Sequence, residues 1–253
     1  MGGKGNKRYL KRLAAPRLIH VPRKIGKFFT KVRAGPHRKE AALPLLHLVR
    51  DILNLCSNAR EARKIIKQGD ILIDGIPRKD PKFPVGLMDV VDIPKTDAHY
   101  RILPIEGKGL YPIEIPKKEV GFKLVRIENK SNVRGGHVQL HLHDGRNILI
   151  KIKDPRKPDE AKTYKTMDVL KITIPNQEIK DHFPLKEGNA GIIISGHNFG
   201  QVGTITQISK RFGTNASVIG LKTKNNEQLE TQYEYMFLLG KGTPEITIPG
   251  EKV

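Results

Sequence analysis

Apolar residues recur along this chain with two different periods, and the change between them falls in the middle of its first half. Leu45, Leu48, Val49, Ile52 and Leu55 stand three or four apart, which predicts an amphipathic helix of about three turns beginning near Leu43. Asn58, followed three residues later by Glu61, has the form of a capping box and starts a second helix. On that helix Ala62, Ile65 and Ile66 share one face, while Arg60, Arg63, Lys64 and Lys67 fall on the opposite one. Gly69 is placed to close it. The period then drops to two. Ile71 and Ile73 alternate in "DILID", Asp74-Gly75 favours a tight hairpin turn, and the returning "IPRKDPKFP" carries Arg78, Lys79 and Lys82 back toward the helix.

A further strand, "MDVVDI" (88–93), completes a small helix-helix-sheet unit, and beyond Lys108 the helical period disappears. "HVQLHLHDGRNILIKI" reads as an alternating hairpin about a second Asp-Gly turn, Asp144-Gly145. "MDVLKI" (167–172) echoes the earlier hexapeptide. Nothing around it matches, so it reads as shared turn-to-strand chemistry and not as a repeat. Pro175 to Glu187 reads as a linker, after which glycines 196, 200 and 203 surround a short loop between two apolar strands. The pattern predicts a multidomain α+β chain: an extension over 1–42, a helix-helix-sheet domain over 43–105, a central β domain over 106–176 and a small β barrel over 177–250.

Charge turns this architecture toward a polyanion. Of 253 residues, 46 are Lys or Arg and 26 are Asp or Glu, a net +20. No acid precedes Glu40, and the first 39 residues hold thirteen cations, so the rest of the chain carries 33 − 26 = +7. A basic arm on a mildly basic body points to nucleic acid. The arm's apolar residues are single and scattered among Pro and Gly, which predicts a segment that orders only against a partner. The four cations of the second helix have no acids on their face. As a cluster with the arm they favour phosphate contacts over a merely solvated surface.

Other chemistries find no residues. No GxSxG, P-loop, HExxH or strand-to-helix GxGxxG occurs, so neither catalysis nor a small-molecule substrate is expected. His137, His141 and His143 share a strand face but lack further metal ligands in reach, so no metal or other cofactor is expected. Cys56 is the one cysteine, and no apolar run approaches membrane length, which suits a reducing, cytoplasmic setting with no membrane partner. Phe28, Phe29 and Phe199 are read as packing residues before stacking ones.

"EARKIIKQGDILIDGIPRKDPKFPVGLMDVVDI" resembles the S4 RNA-binding domain, and Gly191 to Ile208 resembles a KOW motif. With "KRYLKRLAAPRLIHVPRK" and "AGPHRKEAALPLLHLVRDIL" ahead of them, and "FLLGKGTPEITIP" near the end, the chain resembles the S4e family of small-subunit ribosomal proteins. The resemblance implies a non-enzymatic, cytoplasmic ribosomal constituent, not a homo-oligomer, that binds small-subunit rRNA beside neighbouring ribosomal proteins. It implies RNA contacts at Lys7, Arg8, Lys11, Arg12, Arg17, Arg23, Lys24, His37, Arg38, Lys39, Arg60, Arg63, Lys64, Lys67, Arg78 and Lys79, to which the charge of the arm adds Lys27, Lys31 and Arg33. A KOW-containing transcription or translation factor that binds RNA transiently is the alternative. Phe199 stands where KOW motifs often place a basic residue, and the chain lacks the family's usual Trp after "AAP", having Leu18 there.

Overall fold

The arm has anchors that its sequence hides. In the computed structural model, which describes residues 8–152, 162–211, 216–223 and 225–248, β1 (Leu10–Lys11) pairs with β2 (Phe28–Phe29) and sets Leu10 opposite Phe29. Both are buried, as are Ala15, Ile19 and Val21, and all five join the main apolar core of the body. The arm is expected from its sequence to order only against a partner; here it is ordered against the body, whose core its side chains join. These five side chains pack into the core of the body, and each such burial is worth about 1.5–3 kcal/mol for a large side chain.

The first predicted helix is shorter than its period suggests. Ala42–Pro44 form a strand, β3, paired with β6 (Pro84–Gly86), before α1 (Leu45–His47) runs into a π-helical turn (Leu48–Ile52). Leu45, Leu48 and Val49 are fully buried, but Leu55 is exposed because Asn54 turns left-handed at φ 51° and ends the helix before it. The second helix, α2 (Ala59–Gln68), forms as predicted. Asn58 and Glu61 make the reciprocal capping box, Gly69 ends the helix at φ 86°, and Ala62 and Ile66 are buried.

Three five-stranded sheets follow. The first, in the order β5-β4-β7-β8-β9, comprises β4 (Leu72–Ile73), β5 (Ile76–Pro77), β7 (Val90–Ile93), β8 (Ala98–Ile105) and β9 (Gly109–Glu114). It runs past the boundary expected at 105, since β9 pairs along β8. The second, β12-β11-β10-β13-β14, contains β10 (Phe122–Asn132), β11 (Val138–Leu142), β12 (Asn147–Ile150), β13 (Val169–Thr173) and β14 (Ile179–Phe183). β14 lies inside the stretch read as a linker, where its polar sequence gave no strand period. The third, β18-β17-β16-β15-β19, holds β15 (Ala190–Ile193), β16 (Val202–Ser209), β17 (Val218–Thr223), β18 (Gln228–Gln232) and β19 (Met236–Gly240).

The two hexapeptide echoes do share their turn chemistry. Met88 and Met167 take φ of 65° and 73°, and the next residue, Asp89 or Asp168, is buried in each case. Each carboxylate accepts from the backbone N–H three residues back, Gly86 at 2.8 Å and Lys165 at 2.9 Å.

Polar side chains fasten the sheets to one another. Lys123 on β10 has no exposed surface, and its ammonium lies 2.9 Å from Asp74, 2.5 Å from Asp89 and 3.0 Å from Asp144. Two of these acids are the first residues of the two Asp-Gly turns and the third is the echo aspartate, so the cluster joins the first sheet to the second. Arg146 adds a 2.6 Å bridge to Asp74. Burial opposes each charge, yet the three carboxylates raise the Lys123 ammonium above its usual value, and His37 and Lys123 hold the Asp89 carboxyl well below its own. His143 beside them is pushed down to about 3, chiefly by burial, and is neutral at physiological pH. Arg126 on β10 donates to the carbonyls of Glu234 and Met236, both at 2.8 Å, and ties the second sheet to the third.

Candidate RNA interface

The capped N-terminus and left-handed C-cap of α2 fix its rotation, and Ala62 and Ile66 fix which side faces the core. Arg60, Arg63, Lys64 and Lys67 are consequently all exposed. With Gln68 they line a shallow depression of the surface, and none of the four is paired with a carboxylate among the described residues. Lys67 also lies in the last turn, where the helix dipole favours a cation. Unpaired, closely spaced cations on a rigid element suit a phosphate backbone.

The hairpin extends this face. Asp74 and Gly75 both take positive φ, 52° and 73°, which is the geometry a two-residue turn of this kind requires. Its return strand brings the Lys79 side chain to the C-cap, where a Cβ on Gly69 would lie 3.4 Å from Lys79 Cε. Lys79 and Lys82 are exposed, whereas Arg78 is half-buried with its guanidinium 4.6 Å from the centre of the Phe83 ring. Lys82, which the hairpin reading carries toward the helix without counting it among the RNA contacts, is open to solvent as Lys79 is. Arg33 reaches this region from the arm through a 3.2 Å bridge to Asp80, an exposed pair that holds it only weakly.

In the arm, Arg8, Lys11, Arg17, Lys24, Lys27, Arg38 and Lys39 are exposed. Arg12 and Arg23 shape the arm itself. Arg12 donates to the Pro22 carbonyl at 3.1 Å, and Arg23 donates to those of Arg12, Leu13 and Ala15 at 3.0–3.3 Å. Lys31 is half-buried, and Lys7 lies outside the described residues. His37 is corrected outright. Its side chain is buried, with Nε2 2.9 Å from both oxygens of Asp89, so it belongs to the ionic cluster and not to an RNA-facing surface.

The histidine strand face does not converge. His141 bonds Ser131 and Asn147, His143 packs inward against the Leu87 carbonyl, and His137 accepts from the Ile152 N–H. The glycine loop between β15 and β16 is docked on the first sheet: Gln201 donates to Glu106 at 2.6 Å, a Cβ on Gly200 would lie 2.6 Å from the Glu106 nitrogen, and Phe199 packs against the main core. Among the described residues no helix is long and apolar enough to cross a membrane.

A capped, cation-faced helix with a tight hairpin, set on a mainly β body, defines an S4-type RNA-binding protein, and the S4 domain description matches residues 49–91. The RS4NT domain matches residues 4–40, and the ribosomal family S4e matches residues 96–179. The chain is 49% identical over 245 residues to the small ribosomal subunit protein eS4 of Ignicoccus hospitalis, covering 97% of this chain and 96% of that one. Its counterpart in Aeropyrum pernix is 46% identical over 249 residues, 98% of each. The crystal structure of the 30S ribosomal protein S4e from Thermoplasma acidophilum matches with a TM-score of 0.66 at 28% identity, over 80% of this chain and 97% of that one. The chain belongs to the ribosomal S4e family.

Proposed function

We propose that this protein is a structural, non-enzymatic constituent of the small ribosomal subunit in the cytoplasm. In that reading it binds small-subunit rRNA through the α2 cations, the hairpin cation Lys79 and the exposed cations of the arm, and lies beside other ribosomal proteins as a single copy. The observation that carries the reading is the α2 face: four exposed cations without a carboxylate partner among the described residues, in a chain whose full-length relatives are named as small-subunit proteins. Phosphate contacts of this kind fix position without reading sequence. The body supports them, with the loop between β15 and β16 read as the turn of a KOW motif that docks on the first sheet.

A high-salt wash of purified small subunits separates this reading from a factor that cycles on and off ribosomes. Near-unit stoichiometry on washed subunits, by quantitative mass spectrometry, is expected. Release of most of the protein into the wash would favour the transient factor.

A further inference from the structure

The arm presents aromatic surface as well as charge. Four of the eight exposed large apolar residues among those described, Tyr9, Leu13, Ile25 and Phe28, lie in it. The short ladder explains Phe28. Strand alternation turns Leu10 and Phe29 into the body, and Lys11 and Phe28, which are cross-strand partners, are left facing out. Phe28 is 54% and Tyr9 49% exposed, and their rings meet edge-on with centroids 5.5 Å apart. The Lys27 ammonium lies 5.6 Å from the Phe28 ring centre, and Arg8, Lys11 and Lys24 are exposed nearby in sequence. Phe28 lies on the β ladder and Tyr9 directly precedes it, within a segment free of acids whose charged neighbours in sequence are all cations.

We infer that Phe28, with Tyr9 set edge-on against it, forms a stacking platform for an unpaired RNA base, with Lys27 and Lys11 on the phosphates of the same nucleotides. The inference rests on the rRNA-binding reading above and adds a mode of contact that the α2 face lacks. An exposed lysine over a ring is held weakly, whereas a base stacked on an aromatic gains more, so the base displaces the ammonium and leaves it to a phosphate. RNA is favoured over a protein occupant because the first 39 residues hold thirteen cations and no acid, a balance that suits a polyanion. Single-stranded loops and bulges are where RNA offers splayed bases to aromatic side chains.

The test uses the full chain and small-subunit rRNA, with affinity measured across a salt series. Phe28→Leu keeps an apolar group of similar reach but removes the stacking face. It is expected to weaken binding about tenfold with the salt slope unchanged, because a ring releases no counterions. Phe28→Trp is expected to bind as the parent does. The chain has no other Trp, so its fluorescence reports the site directly and should be quenched on binding. Wild-type affinity in Phe28→Leu, or a bound Phe28→Trp complex without quenching, would overturn the platform while leaving the α2 reading intact. Normal rRNA affinity with loss of a ribosomal-protein contact would overturn it in favour of a protein surface. Failure of the parent chain to bind small-subunit rRNA would overturn the platform and the proposed function together.

Discussion

Lys123→Met is expected to destabilise the folded chain by about 3–5 kcal/mol, because it removes the cation shared by three buried carboxylates. Lys123 is fully buried, and its partners Asp74, Asp89 and Asp144 are each no more than about one-twentieth exposed. Methionine fills nearly the same volume, so the loss is electrostatic and not a cavity. Acid supplies a second readout. In the parent, Asp89 and Asp144 titrate below their ordinary values; burial opposes this, but His37 with Lys123 at Asp89, and Lys123 with Arg146 at Asp144, prevail. Their contribution is therefore present above the unfolded carboxylate range near pH 4 and lost as pH falls through the folded values. Without Lys123, His37 still faces Asp89 and Arg146 still faces Asp74 and Asp144, but burial weighs more heavily on the carboxylates and their folded-state values rise toward the unfolded ones. Urea unfolding should show the deficit of the variant relative to the parent shrinking as pH falls from 7 into the carboxylate range. Adding Asp89→Asn, which removes one of the buried charges that Lys123 had balanced, should restore part of the loss. A variant as stable as the parent would mean that the cluster does not fasten the sheets.

The second large effect concerns affinity. Exchanging Arg60, Arg63, Lys64 and Lys67 for Gln leaves the α2 core residues Ala62 and Ile66 and the Asn58–Glu61 cap in place. Surface changes of this kind alter stability little. If each cation meets one phosphate, the dependence of log K on log salt should become shallower by about 3, from 0.7–0.9 per contact. Binding to small-subunit rRNA at physiological salt should weaken by orders of magnitude, with the thermal unfolding curve nearly unmoved. An unchanged slope in a folded variant would remove this face from the interface.

Local chemistry was legible in the sequence wherever the partners lie within a few residues of each other. The capping box, the closing glycine, both Asp-Gly turns and the cationic side of α2 follow from spacings of two to four, and the echoed "MD" turns follow from identical short segments. What required long-range partners was hidden. Lys123 meets acids 21 to 49 positions away, and composition alone treats a lysine as a surface residue. His37 looked like one more polar residue of a basic arm because its carboxylate lies 52 positions downstream. The arm's apolar anchors, Leu10, Ala15, Ile19, Val21 and Phe29, have no regular period, although all belong to one core. Leu55 had the right period but fell after a left-handed Asn54, a break that periodicity does not see.

The most direct test of the central claim, that α2 lies on rRNA in the assembled particle, places a photoreactive aromatic amino acid at Lys64 and irradiates salt-washed small subunits containing the substituted chain. Adducts to small-subunit rRNA, mapped to one restricted region, are the expected result. Adducts to ribosomal proteins alone, in particles that incorporate the chain normally, would contradict it.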